Sequence, residues 1–409
     1  MNNIKRKRAK LVFFFITGIV GVVGLLIGWY QVYGFLESTT FCTQLCHLEM
    51  QPQTYAKEIS PHAEVTCQGC HVGHSGDDFI KSKLNGMIEL IALLTNSYER
   101  PIEASFHHLL PSSDTCNHCH WPEKYSDDVL KVYATYLSDE NNTEQIEYMM
   151  LEVGTGDPEI ANNIHWHMAA ELYYIPADEE RREIAWVGIL GEEYGYAEYI
   201  NPEYADHIDE YMLEEKNKMD CVDCHNRVGH IVYSPEELID AALYQGKIDK
   251  TLPYIKLWAM EALDPVNETL EEAVHKVEAI KDKYKEHYPE VYENMESIID
   301  KAIEKLIEIA EQTTFSRMET TWETYIDDSV CGRPESELHE PAGCFRCHGT
   351  LVADGWLAET HGQQVCVDGC DNVCHYSLYP EDINIDDDTD EEGGIVEIPT
   401  SGGENSGGH

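Results

Sequence analysis

The chain has 409 residues, enough for two or more domains, and carries 76 acidic against 28 basic side chains, a formal net charge of -48. A surface this acidic repels nucleic acid and anionic lipid, so no nucleic-acid partner is expected. A docking partner should present a basic face, although plain solvation explains the same charge.

Residues 1–10 run against this acidity, with KRKRAK at 5–10, and precede an uncharged stretch, LVFFFITGIVGVVGLLIGWYQVYGFL, over 11–36. That length spans a bilayer as a helix. Neither the short apolar core nor the small-residue cleavage site of a secretory signal is evident. The reading is a retained single-pass anchor in the cytoplasmic (inner) membrane with its basic end inside and Trp29, Tyr30 and Tyr33 at the far interface. Everything after Glu37 is then extracytoplasmic, or periplasmic. Gly24 and Gly28 form a G-x-x-x-G that can pair helices, which leaves a homo-oligomer open.

Just beyond the run comes FCTQLCH, with Cys42, Cys46 and His47. Related clusters recur as CQGCH (Cys67, Cys70, His71), CNHCH (Cys116, Cys119, His120), CVDCH (Cys221, Cys224, His225) and CFRCH (Cys344, Cys347, His348). A sixth, CDNVCH (Cys370, Cys374, His375), shares the three-residue gap of the first. Covalent c-type haem needs two thiols for thioether bonds to its vinyl groups and an adjacent imidazole as axial iron ligand. Zinc sites and redox dithiols also use paired cysteines, but neither requires a histidine directly after the second cysteine every time. Six covalently bound haem c groups are therefore expected. Cys331 and Cys366 are left over; they can pair in an oxidising compartment, or Cys366 can replace Cys370 at the last haem, where Cys370 has the shorter spacing.

The expected fold is mainly α with irregular haem-wrapping loops, one N-terminal transmembrane helix and a small β-rich insertion. Residues 37–120 hold haems one to three. Within them His62 is a distal-ligand candidate, and Ile80, Leu84, Ile88 and Ile91 recur at helical spacing among Lys81, Lys83, Asn85 and Glu89. That pattern suits a helix lying on the membrane surface or one that covers haem. Residues 121–220 form an inserted α+β region, helical at YSDDVLKVYATYL and then a small antiparallel sheet. Strand alternation across IHWHM would place His165 and His167 on one face, toward a haem. Residues 221–235 hold haem four, with His230 a second distal candidate. The helical region 236–330 opens on a capping box of Ser234 and Glu237 with Pro235 at the first position. Charged helices at about 266–287 and 290–312 read as a solvated hairpin whose His275 and His287 are surface residues. Haems five and six occupy 331–380, near His339 and His361, and the acidic, glycine-rich tail 381–409 reads as disordered.

The stretches TTFCTQLCHLEM, SPHAEVTCQGCHVGH and MDCVDCHNRVGH resemble the NapC/NirT family of membrane-anchored cytochromes c. With IHWHM, YIPADEERREIAWV, IDKTLPYIK and AGCFRCH, the pattern looks like that family's multihaem subgroup in extracellular respiration. The resemblance implies a quinol dehydrogenase that draws on the membrane quinol pool, with menaquinol as substrate, and passes electrons to extracytoplasmic redox proteins. It also implies that haem one adjoins the quinol site and that its axial ligand is either His47 or Met50. Lys83 is the best match to the family's quinol-associated lysine, followed by Lys81, with Glu89 as a nearby carboxylate. A multihaem terminal reductase of a small molecule and a passive relay without a quinol site are the competing readings.

Overall fold

The computed structural model describes residues 2–46, 49–73, 76–102, 110–121, 128–157, 160, 163–178, 181, 184–189, 197–208, 216–225, 228–263, 269–325 and 375–378. The chain divides into two compact units, residues 1–49 with 65–98 and residues 50–64 with 99–409. It is mainly helical with small sheets, as the sequence implied.

The first unit is built on α1 (Asn2–Leu36). Its apolar stretch Lys10–Leu36 buries nothing inside the protein, and Phe14, Leu25, Trp29 and Tyr30 all stand exposed. Hydrocarbon is the solvent that such a surface matches, and a helix suits it because every mid-helix backbone group is hydrogen-bonded within the segment. At about 1.5 Å per residue the 27 residues exceed the roughly 30 Å hydrocarbon core. Beyond Leu36, Ser38 caps a turn at Thr39–Phe41 by accepting from the Phe41 N–H, and Cys42–Cys46 forms one π-helical turn. The unit closes with α2 (Gly76–Thr95), whose first turn carries Asp77 and Asp78, the sign its positive N-terminal dipole favours. Ile80, Leu84, Met87, Ile88, Ile91 and Leu94 form an exposed apolar stripe along α2.

In the second unit, hairpin strands β1 (Val129–Tyr136) and β2 (Glu144–Leu151) make a sheet of order β1-β2-β9 with β9 (His375–Leu378). A second antiparallel sheet runs β5-β4-β3-β6, from β3 (Leu172–Pro176), β4 (Ile184–Ile189), β5 (Ala197–Ile200) and β6 (Asn217–Lys218), and β7 (Thr314–Phe315) pairs with β8 (Thr320–Thr321). Strand β4 is central and buried at every position. The Trp186 indole lies where a Gly188 Cβ would stand, so only glycine fits there.

Helices α3 (Pro235–Tyr244), α4 (Ile255–Leu263), α5 (Leu270–Glu278), α6 (Ile280–His287) and α7 (Pro289–Thr313) follow. The expected capping box forms, since Ser234 accepts from the Glu237 N–H and Glu237 from the Ser234 N–H. Helix α3 stops in a Schellman pattern: Gly246 takes φ +67°, and Lys247 N–H reaches the Ala242 carbonyl at 2.8 Å. Around α7 the helices bury Leu243, Ile255, Val277, Ile280, Tyr284, Ile299 and Leu306, with Tyr136 of β1 joining the same core. Asn142, at φ +46° in the β1–β2 turn, docks the hairpin: its amide donates to the Lys250 and Leu252 carbonyls and accepts from Lys256 N–H.

Three expectations are corrected here. Residues 129–136 form a strand rather than a helix, because their β-branched and aromatic side chains pair across to β2. IHWHM is no strand; Trp166–Ala169 make a helical turn with His165 at its start. The charged region is three helices that share one packed core with α3, α4 and Tyr136, not a solvated pair.

Candidate functional site

Each regular motif within the described residues folds as a single helical turn. Cys67–His71 is a short helix. Backbone bonds from His120 to Cys116 (2.8 Å) and from His225 to Cys221 (2.7 Å) close the same turn elsewhere. At 3.6 residues per turn, positions i, i+3 and i+4 share a face, so both thiols and the imidazole project together. The first thiol of each, Cys67, Cys116 and Cys221, is partly buried, while Cys70, Cys119 and Cys224 are exposed. In the first motif the π turn, whose bonds run i→i+5, absorbs the additional residue between Cys42 and Cys46. Among the described residues no three His, Cys, Asp or Glu side chains converge as a bare metal ion would need. Two thiols and one imidazole on one turn instead fit haem c, which brings its own four nitrogens.

The segment that leads into the third motif is tied to the N-cap of the fourth. Asp220 accepts from Ser112 N–H through Oδ2 at 2.8 Å and, through Oδ1, from Cys221 N–H at 2.6 Å and from the Ser112 hydroxyl. Burial, above all, pushes the Cys221 thiol up, and the nearby Asp220 and Cys116 add to it against a Ser112 hydrogen bond. Asp223, inside the fourth motif, accepts from the Tyr174 hydroxyl at 2.5 Å, and Arg181 donates to that hydroxyl at 2.7 Å. The β3 strand is thereby tied to the motif turn.

The distal candidates share a pattern. The Nδ1 atoms of His62, His167 and His230 each meet a backbone carbonyl, of Val228 (3.3 Å), Ile164 (2.8 Å) and Gln53 (2.9 Å) respectively. A proton on Nδ1 leaves Nε2 with the lone pair that a metal takes, the usual arrangement behind a ligating histidine. His62 and His120 bring their ring centroids to 5.9 Å. Two metal–nitrogen bonds of about 2 Å, plus half an imidazole at either end, need roughly that separation. Burial holds the His165 imidazole below the usual range, His167 adds to this, and a hydrogen bond to Gly154 opposes it. His165 N–H bonds the Val153 carbonyl, two residues past Leu151, which pairs in register with His375 of β9. Met50 packs against a cluster of Ala56, Val232, Phe315, Met318 and Tyr325.

In the first unit Lys83 is half-buried and ion-paired at 2.6 Å with Glu37, which is only 7% exposed. Its ammonium also donates to the Leu36 carbonyl at 3.2 Å and stands 5.2 Å from the Phe79 ring centre. Phe79 in turn stacks on Tyr33. Lys81 and Glu89 are exposed and lie two and six positions from Lys83, off its face of α2. Sequence reasoning missed Glu37; the signal was a carboxylate directly ending an apolar run. His47, Cys344, Cys347, His348, Cys370, Cys374, Cys331, Cys366, His339, His361 and residues 381–409 lie outside the described residues, as do the side chains of Cys46 and His375.

The model of the NapC/NirT cytochrome c family, N-terminal region, matches residues 4–128. The cytochrome c-type protein ImcH of Geobacter sulfurreducens is 35% identical over 386 residues, 94% of this chain and 73% of ImcH. No solved structure matches the chain.

Proposed function

The chain belongs to the NapC/NirT cytochrome c family, and from that premise we propose that it is a membrane-anchored hexahaem cytochrome that oxidises menaquinol and relays electrons to an extracytoplasmic acceptor. The observation that supports this reading is the ion pair of Lys83 with Glu37 at the foot of the apolar helix, made by a helix, α2, that also packs on the Cys42–Cys46 turn. Haem c, held there through Cys42 and Cys46, supplies one-electron redox chemistry. The chain's own residues supply the rest. The exposed apolar stripe of α2 seats the unit at the bilayer surface, where a lipid-soluble quinol arrives. Lys83 holds a quinol oxygen and favours the negative charge that builds on it as protons leave.

Beyond the first haem, the reading assigns distal ligands. His62 faces the motif of His120, whose separation suits one shared iron. His167, with His165 as its neighbour, serves the haem of His375 through the β2–β9 pairing. His230 ligates a further haem, and bis-histidine ligation keeps such potentials low.

The test is stopped-flow reduction of the purified, detergent-solubilised holoprotein by a short-chain menaquinol analogue. The wild type should be reduced, and Lys83→Met should slow reduction about 10-fold or more while dithionite still reduces every haem. A wild type indifferent to the quinol would sink the proposal. Intact mass, rising by six haem increments, checks the number attached.

A further inference from the structure

The pair between Lys83 and Glu37 does more than hold a side chain in place. Glu37 is the first charged residue after the uncharged stretch 11–36, yet its carboxylate is buried. Lys83 approaches Oε1 at 2.6 Å, but neither carboxylate oxygen accepts a hydrogen bond of good geometry. Burying an ion pair costs desolvation that an apolar contact would avoid, so a buried carboxylate directly after the apolar span calls for a functional reason. Lys83 is the one charged side chain that the described residues bring within ion-pair distance of Glu37; the aromatic rings of Tyr33 and Phe79 wall the same corner. The cluster thus holds a cation, a carboxylate with acceptor capacity to spare and flat apolar walls, at the level where the exposed apolar surface of α1 ends.

We propose that Glu37 is the proton acceptor of the quinol site, a role that rests on the reading of Lys83 given above. A hydroquinone O–H bond breaks, and its proton joins a Glu37 carboxylate oxygen. The electron released goes to a ferric c-type haem, which becomes ferrous. Glu37 passes the proton to water, and a second proton and electron follow in the same way to leave the quinone. Lys83 steadies the oxygen that has lost its proton.

The experiment measures the pH profile of haem reduction by the menaquinol analogue in full-length holoprotein, for wild type, Glu37→Gln and Glu37→Asp. The wild-type rate should rise with pH. Glu37→Gln should be slower by at least about 100-fold, with a flat profile, while dithionite reduces it as completely as wild type. Glu37→Asp should recover part of the rate together with the pH dependence. A wild type that ignores the quinol overturns the quinol site itself. A reactive wild type matched by Glu37→Gln, or a slow Glu37→Gln with the wild-type profile, overturns Glu37 alone. Should Glu37→Gln fail to accumulate with haem, Glu37→Asp decides: an unchanged rate refutes the assignment, and a severalfold slower one that keeps its pH dependence supports it.

Discussion

Lys256 is 1% exposed and Asp240 5%, and they meet at 2.5 Å in the core of the second unit, with Glu236 3.1 Å from the same ammonium. Burial pushes the Asp240 carboxyl up to about 6, against the pull of Lys256. Because that value is above the 3.8 of the ordinary group, the folded state binds the extra proton between the two. The stability Asp240 lends through this shift is complete below about 4 and is lost as pH rises through about 6. Lys256→Met should therefore cost about 3–5 kcal/mol near pH 8, where it strands a buried carboxylate. At pH 5 the cost should be smaller, because Asp240 can take up a proton instead. Amide exchange of α3 and α4 measures this, and an equal loss at both pH values would contradict it. The pair was not legible in the sequence: nothing local to Lys256 or Asp240 marks either as buried, and only helix packing brings them inside.

At the scale of elements, the motif turns were legible because their chemistry demands a fixed short spacing. The capping box of α3 was equally plain, since both of its hydrogen bonds are local. Residues 129–136 were not, because their strand state depends on a partner at 144–151 that no local pattern names. IHWHM misled for a related reason: five residues fit alternation or a helical turn equally well, and backbone bonds from Ile164 and His165 to Glu152 and Val153 decide the matter. His62 fared better. The turn after helix Gln51–Glu58 delivers it to His120 with Nδ1 held by the Val228 carbonyl. His62→Ala should then leave all the thioethers in place but make one haem five-coordinate, seen as a new high-spin signal in electron paramagnetic resonance. A spectrum identical to wild type would remove His62 from the ligand set.

For the whole molecule, the charge of -48 bears on encounter with partners more than on the fold. The membrane end is the basic end, with KRKRAK at residues 5–10, so the acidic excess belongs to the region after the anchor and is available for docking. Exposed charges act over about 10 Å at 0.1 M salt and about 3 Å at 1 M. Attraction to a basic partner is therefore strongest at low salt, and it changes the association rate before it changes anything downstream. Electron transfer from the dithionite-reduced protein to a small basic redox protein should accordingly slow by 10-fold or more, to order of magnitude, between about 10 mM and 500 mM salt. Transfer to an acidic acceptor of similar potential should instead quicken as repulsion is screened. Stopped-flow rates across that range separate the two. Salt-independent rates with both acceptors would mean that the exit haem discharges through a patch where the surface charge is locally balanced, and the acidic surface would then serve solubility alone.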